Sequence, residues 1–321
     1  MRPAPFTIEQ LATFSREHIE SCDIDPIYPV LKYLLAMDSD GDVDSDAALW
    51  RTFIYLAYYN IASSETALPM LQPDGAGWPE TVLRLPTATE RRGLRGGEPM
   101  ATHLRSLLYE AADAGSLHDW LWGAVATSPP GASDVMAEMT RLRNWDKLGP
   151  IIEAVHGNGR WAAYKAREVL WKVNGLPLTA PDTGMANSTG PRDGLALFMP
   201  EAAEIRGNTA WHVEQLEDMA WDLRHTLADD HGLSMGIEEL ETCLCDFLSM
   251  SKGRFYVGHD TDHMLEQALH PSVSPVARDR ILAARYDQLP HEYLGELHGR
   301  TGVDKARNRV FADSGVILAR G

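Results

Sequence analysis

The 321-residue sequence predicts an all-α protein, and two observations carry that expectation. Every long periodic segment repeats its apolar residues at helical spacing, the signature of a buried stripe. Strict apolar–polar alternation, which a half-buried strand would need, is scarce. Hydrophobic content of 44% and charged content of 23% suit a soluble globular chain, long enough for one large domain or two lobes. No apolar run approaches membrane-spanning length, and the N-terminus lacks a basic-then-apolar signal pattern. Cys22, Cys243 and Cys245 are too few for a disulfide framework or for the four thiolates of an iron–sulfur cluster. A reducing cytoplasm is the expected compartment. A net charge of −17 argues against a protein that coats DNA, although a site-specific enzyme can carry a local basic strip on an acidic body.

The first helix is expected from about Thr7, a good N-cap, to Cys22, and a second from Pro26 to Met37. The acidic run Asp38 to Asp46 imitates a calcium loop but fails as one. Counted from Asp38, the required glycine and glutamate positions hold Val43 and Leu49; counted from Asp40, they hold Ser45 and Arg51. It reads as a solvated turn that places negative charge at the start of the next helix. That helix, Ala47 to Asn60, carries Trp50, Phe53, Tyr55, Tyr58 and Tyr59, a stripe better suited to core than to base stacking. The Gly- and Pro-rich stretch from Leu71 to Gly97 holds Arg84, Arg91, Arg92 and Arg95, which suit either a polyanion or a solvated loop. Helices follow over Pro99–Ala114, Leu117–Thr127 and Ser133–Arg143.

Residues Leu148 to Thr183 carry the most information. A short helix with Ile151, Ile152 and Val155 meets His156-Gly157-Asn158-Gly159, which favours a tight reversal with positive φ. A second helix, Trp161 to Val173, buries Ala162, Ala166, Val169, Leu170 and Val173 and stops at Gly175. This is the sequence form of a helix-hairpin-helix, whose hairpin amides and helix N-terminus can hold a DNA phosphate without reading a base. Two packed core helices joined by a glycine turn are the plainer reading. With Gly157-x-Gly159-Arg160, Gly175-x-Pro177 and Pro181-Asp182-Thr183, the segment resembles the helix-hairpin-helix DNA glycosylases of the endonuclease III type. That resemblance implies a two-lobed helical fold and an aspartate, here Asp182, in the active-site cleft. Asp182 lies slightly farther beyond the hairpin than is usual there. Trp161 occupies the place of the lysine that lyases of that family carry, so Schiff-base lyase chemistry is disfavoured.

Beyond Asp182, Gly190, Pro191 and Gly194 are expected to prevent a regular helix, leaving a Gly-Pro-Arg loop whose Arg192 and amides suit a phosphate. Helices return at Thr209–Asp229, with Asn208 as cap, and at Ile237–Met250, with a charged helical tail after Pro275. Between them, Ser251 to His263 gathers two basic residues, two aromatics, two aspartates and two histidines in a glycine-flanked stretch. His259 and His263 are spaced to share a helix face and hold a divalent metal with Asp260 or Asp262. No third strong ligand follows, so a polar substrate loop is the better reading and no metal is assigned. A boundary near residue 205 divides a core, 1–205, from a C-terminal lobe, 206–321.

Arg51, Asn60, Glu65-Thr66, Gly159 to Lys165, Gly190 to Gly194, Leu244-Cys245 and Lys252 to Tyr256 together resemble the phage amino acid:DNA transferases, also called α-glutamyl/putrescinyl thymine pyrophosphorylases. The likeness spans roughly residues 45 to 265. It implies replacement of pyrophosphate, on a pyrophosphorylated 5-hydroxymethyluracil in double-stranded phage DNA, by an amino acid or polyamine. A separate DNA base kinase acts first, no cofactor or membrane is required, and the setting is the cytoplasm of the infected host. On that reading Asp182 is the general base. Arg192, Lys252 and Arg254, with Arg91, Arg92 and Arg95 behind them, stabilise departing pyrophosphate. Gly157, Asn158, Gly159, Arg160, Trp161 and Lys165 hold DNA, while Asn60, Tyr256, His259, Asp260 and Asp262 receive the amine. The alternatives are a DNA N-glycosylase without lyase activity and a non-catalytic helical scaffold.

Overall fold

A computed structural model describes residues 4–75, 77–186 and 188–294. Among the described residues every regular element is helical. The α-helices are α1 (Ile8–Glu20), α2 (Ile27–Asp38), α3 (Asp46–Tyr58), α4 (Ile61–Ala67), α5 (Glu80–Leu83), α6 (Gly97–Ala112), α7 (Leu117–Trp122), α8 (Asp134–Ala154), α9 (Arg160–Lys172), α10 (Thr189–Leu195), α11 (Ala210–His231), α12 (Ile237–Ser251), α13 (His259–Ala268) and α14 (Pro275–Gln288). None of them is long and apolar enough to cross a membrane.

Two compact units form, and neither is a continuous stretch of chain. The first takes the described parts of Met1–Pro26, Ala180–His263 and Leu289–Gly321; the second takes Ile27–Thr179 and Met264–Gln288. Residue 205, the expected boundary, falls inside the middle segment of the first unit. The charged tail is helical as far as Gln288, and residues 295–321 lie outside the described ones.

In the first unit, α1 starts with a full capping box: Thr7 Oγ1 accepts from the Gln10 amide, and Gln10 Oε1 accepts from the Thr7 amide. The rings of Phe6, Phe14 and Phe198 each pack edge-on against Phe247 of α12, with centroids 5.1, 5.3 and 4.8 Å away. Residues 189–195, expected to be irregular, form α10. Pro191 sits in the first turn, where its missing N–H breaks no helical bond. Gly190 and Gly194 have a packing reason: a Cβ on Gly194 would lie 2.2 Å from the Leu244 carbonyl oxygen, and one on Gly190 would lie 2.7 Å from Cys245 Sγ. The glycines that look like breakers let α10 lie directly on α12. The cap of α11 is Thr209, not Asn208, because Asn208 Oδ1 instead accepts from Arg192.

In the second unit, α3 is buried from Ala48 to Tyr58, so its aromatic stripe is core. Arg51 lies inside that core at 3% exposure. Its guanidinium pairs with both oxygens of Glu65, the Leu34 carbonyl at 2.8 Å and Asp38 at 2.5 Å. A buried cation is tolerable only when its donors are spent this completely. The segments 133–143 and 148–155, expected as separate helices, are one helix, α8, which contains Pro150. Buried Trp145, Leu148 and Ile152 anchor one face across the proline and offset the backbone bond it removes.

Candidate functional site

The turn between α8 and α9 is set by its sequence. Gly157 adopts φ +84°, which strains any other residue, and a Cβ there would come 2.7 Å from Leu94 Cδ2, so that methyl would also have to shift. The Asn158 amide donates to the Val155 carbonyl (3.0 Å), and Asn158 Nδ2 donates to the Ile152 carbonyl (3.0 Å). Gly159 precedes α9 without any side-chain cap, so the amide end of that helix is presented as a positive dipole pole.

Arg91 braces this turn from below. It is 4% exposed, donates from Nη2 to Asn158 Oδ1 (3.1 Å) and His103 Nε2 (3.3 Å), and has its pKa lowered by burial to about 10, so it remains a cation at neutral pH. His103 Nδ1 in turn meets the His156 carbonyl at 2.6 Å. That geometry requires the neutral tautomer protonated at Nδ1, since Nε2 must accept from Arg91. Burial, and then the nearby Arg91 charge, hold the His103 pKa down to about 3.

Around the turn, Gly157, Gly159 and Arg160 are exposed and Asn158 and Trp161 half-buried. The Trp161 ring meets Tyr59 edge-on at 5.2 Å; Tyr59 closes α3 in the left-handed conformation, with φ +46°. Lys165 is instead buried and bonds Glu168 at 2.9 Å. Arg92 and Arg95 are exposed, and Arg95 leans on Thr87. Asn60 caps α4, its Oδ1 accepting from the Ser63 amide.

In the first unit, Asp182 sits half-buried in a loop gripped by α11. Asp182 Oδ1 accepts from the Gly184 amide at 2.9 Å. Glu217 accepts from the Thr183 amide, the Thr183 hydroxyl and the Met185 amide, each at 2.8 Å. Trp221 Nε1 donates to the Pro181 carbonyl. Burial raises the Glu217 pKa against those three hydrogen bonds, and the neighbouring Asp182 raises it further. Sequence reading missed Glu217, which reads as one more solvated acid on a helix.

Arg192 on α10 donates to Asn208 and to the Gly207 carbonyl, tying down the approach to α11. Lys252 and Arg254 are exposed just past α12. Beyond them Phe255 to Gly258, Thr261 and Asp262 are buried, whereas His259 and Asp260 are half-buried and His263 is exposed. Tyr256 donates to Asp262 at 2.7 Å, and both are buried. Asp23, fully buried, accepts the Gly258 and Thr261 amides at 2.6 and 2.8 Å and so caps α13 from a distant part of the chain. Burial raises the Asp23 pKa to about 7. His18, also fully buried, bonds Asp246 at 3.0 Å. For His259 burial opposes protonation, but Asp260 at 2.8 Å and more distant carboxylates raise its pKa overall. Among the described residues, no three His, Cys, Asp or Glu side chains gather to hold a metal ion; the His259 and His263 rings stack 6.3 Å apart.

Residues 88–255, just over half the chain, match the family model described as amino acid:DNA transferase. The matched stretch contains the turn at Gly157–Gly159, Asp182, Arg192, Lys252 and Arg254. No curated protein gives a match.

Proposed function

Because the chain belongs to the amino acid:DNA transferase family, and is therefore a transferase that modifies DNA, we propose that it couples an amino acid to a pyrophosphorylated 5-hydroxymethyluracil in phage DNA. The observation that carries the DNA reading is the braced turn. Gly157, the uncapped start of α9 and the Arg91–Asn158 bond form a rigid amide surface suited to a backbone phosphate.

The target base must leave the stack for its 5-methylene carbon to be reached. Trp161, half-buried against Tyr59, offers it an aromatic face. The amine nitrogen attacks that carbon, the carbon–oxygen bond to pyrophosphate breaks, and pyrophosphate leaves with the bonding electrons. A proton must leave the nitrogen, and Asp182 is the proposed acceptor because its loop is held rigidly by Glu217 and Trp221. Exposed Lys252 and Arg254, with Arg192, are the proposed cations for the departing pyrophosphate. Exposed Arg92 and Arg95 can serve DNA or pyrophosphate, whereas Arg91 acts through the turn it supports.

DNA carrying the pyrophosphorylated base is incubated with the protein and a mixture of amino acids and polyamines, then digested to nucleosides for mass spectrometry. A thymidine derivative heavier by one amino acid is the expected product. Free base with abasic sites would make the protein a glycosylase, and unaltered DNA would remove the proposed substrate.

A further inference from the structure

The second unit contains a cavity of about 790 Å³ that none of these roles uses. Its size falls in the range of small-molecule sites. Most of the wall is apolar, with Leu35, Trp50, Leu71, Leu108 and Leu117 among its residues. One part is charged. Asp38, Arg51 and Arg280 reach the lining there, with buried Glu65 behind them; Asp46, the further charged residue of the lining, is exposed and accepts from the His118 amide.

The charge arrangement limits what can enter. Arg51 and Arg280 both donate to the same oxygen of Asp38, Oδ2, at 2.5 and 2.6 Å. Arg51 is 3% exposed and already bonds Glu65, the Leu34 carbonyl and Asp38, whereas the Asp38 and Arg280 side chains are 43% and 34% exposed. Arg280 Nε is buried with no hydrogen-bond partner and stands 4.0 Å from Glu65. Two cations and two carboxylates leave this cluster neutral. A zwitterion preserves that balance, because Arg280 can take a carboxylate while the second oxygen of Asp38 takes an ammonium group. A diamine would bring two uncompensated positive charges, and a simple anion one negative charge, into a largely apolar cavity, which is costly.

We propose that this cavity binds a free α-amino acid with a large apolar side chain, its carboxylate on Arg280, its ammonium on Asp38 and its side chain against Trp50 and Leu71. The proposal rests on the amino-acid reading of the donor given above. Asp38, Trp50, Leu71 and Arg280 all lie outside residues 88–255, so selection of the amino acid falls to parts of the chain beyond the matched stretch.

Equilibrium dialysis of the full chain against each of the twenty amino acids, and against putrescine, tests this directly. The expected result is saturable binding of one large apolar amino acid. Arg280→Met should weaken it about tenfold or more, the loss of one charge-assisted hydrogen bond. Ala47→Trp, a substitution at an exposed residue of the lining, should abolish it while leaving thermal unfolding and DNA binding unchanged. This second variant keeps the test decisive if Arg280→Met does not fold. Amino-acid transfer to DNA with no amino acid bound in dialysis, putrescine bound in preference to all amino acids, or binding indifferent to both variants would overturn the cavity assignment. Binding that follows both variants upholds the site even if the DNA assay instead yields free base, an outcome that removes only the transfer reaction.

Discussion

Glu217 makes Asp182 a better candidate than its sequence position alone does. Glu217 fixes three donors of the loop, and Asp182 itself accepts from the Gly184 amide, so the loop that carries it is held at several points. Asp182→Asn should lower turnover by about a hundredfold or more, the usual worth of a general base, without changing DNA affinity; single-turnover kinetics beside a filter-binding curve would check both. Undiminished transfer would end the assignment. At the turn, His103 gives a pH prediction. Its folded pKa, about 3, lies below the ordinary value of 6.5, so its contribution to stability is complete above about pH 6.5 and is lost as pH falls towards 3. Melting temperature should therefore drop on acidification below pH 6.5, with a shallower slope in His103→Gln. Asp23 works in the opposite sense. Its pKa is raised to about 7, so its contribution is complete below the ordinary carboxylate value and is lost as pH rises through 7. These residues were not legible beforehand, because an isolated Glu, His or Asp in a sequence carries no mark of its burial.

Elements were far more legible than their polar contacts. The Thr7 cap, the aromatic helix, the glycine turn and the helix after it stand close to where periodicity and capping put them. At 189–195 the cause of the failure is local: Gly190, Pro191 and Gly194 are breakers by propensity, and packing overrides it. Gly194→Ala tests that account. The added methyl would meet the Leu244 carbonyl oxygen at 2.2 Å, so α10 must move off α12. The cost should be about 1–3 kcal/mol, read as a lowered melting temperature by calorimetry. A neutral effect would show that the glycine serves chain flexibility instead.

For the molecule as a whole, net charge of −17 confines DNA binding to a few local contacts. If about three phosphates are engaged, affinity should fall roughly 40-fold between 50 and 200 mM salt, and Arg160→Ala should reduce the log–log slope by about one. A fluorescence-anisotropy salt series measures both, and a salt-independent affinity would contradict the phosphate role of the turn.

By itself, the sequence determined the helical class, most helix positions, the glycine turn and the residues carrying the family likeness, because these depend on spacing over a few turns of chain. Tertiary structure alone decided which polar groups work together. Glu217 holds a loop 34 residues away, Arg91 braces Asn158 at 67, and Asp23 caps a helix at 235. Periodicity carries no information over such separations. Burial, which makes those hydrogen bonds obligatory, arises only when distant helices pack.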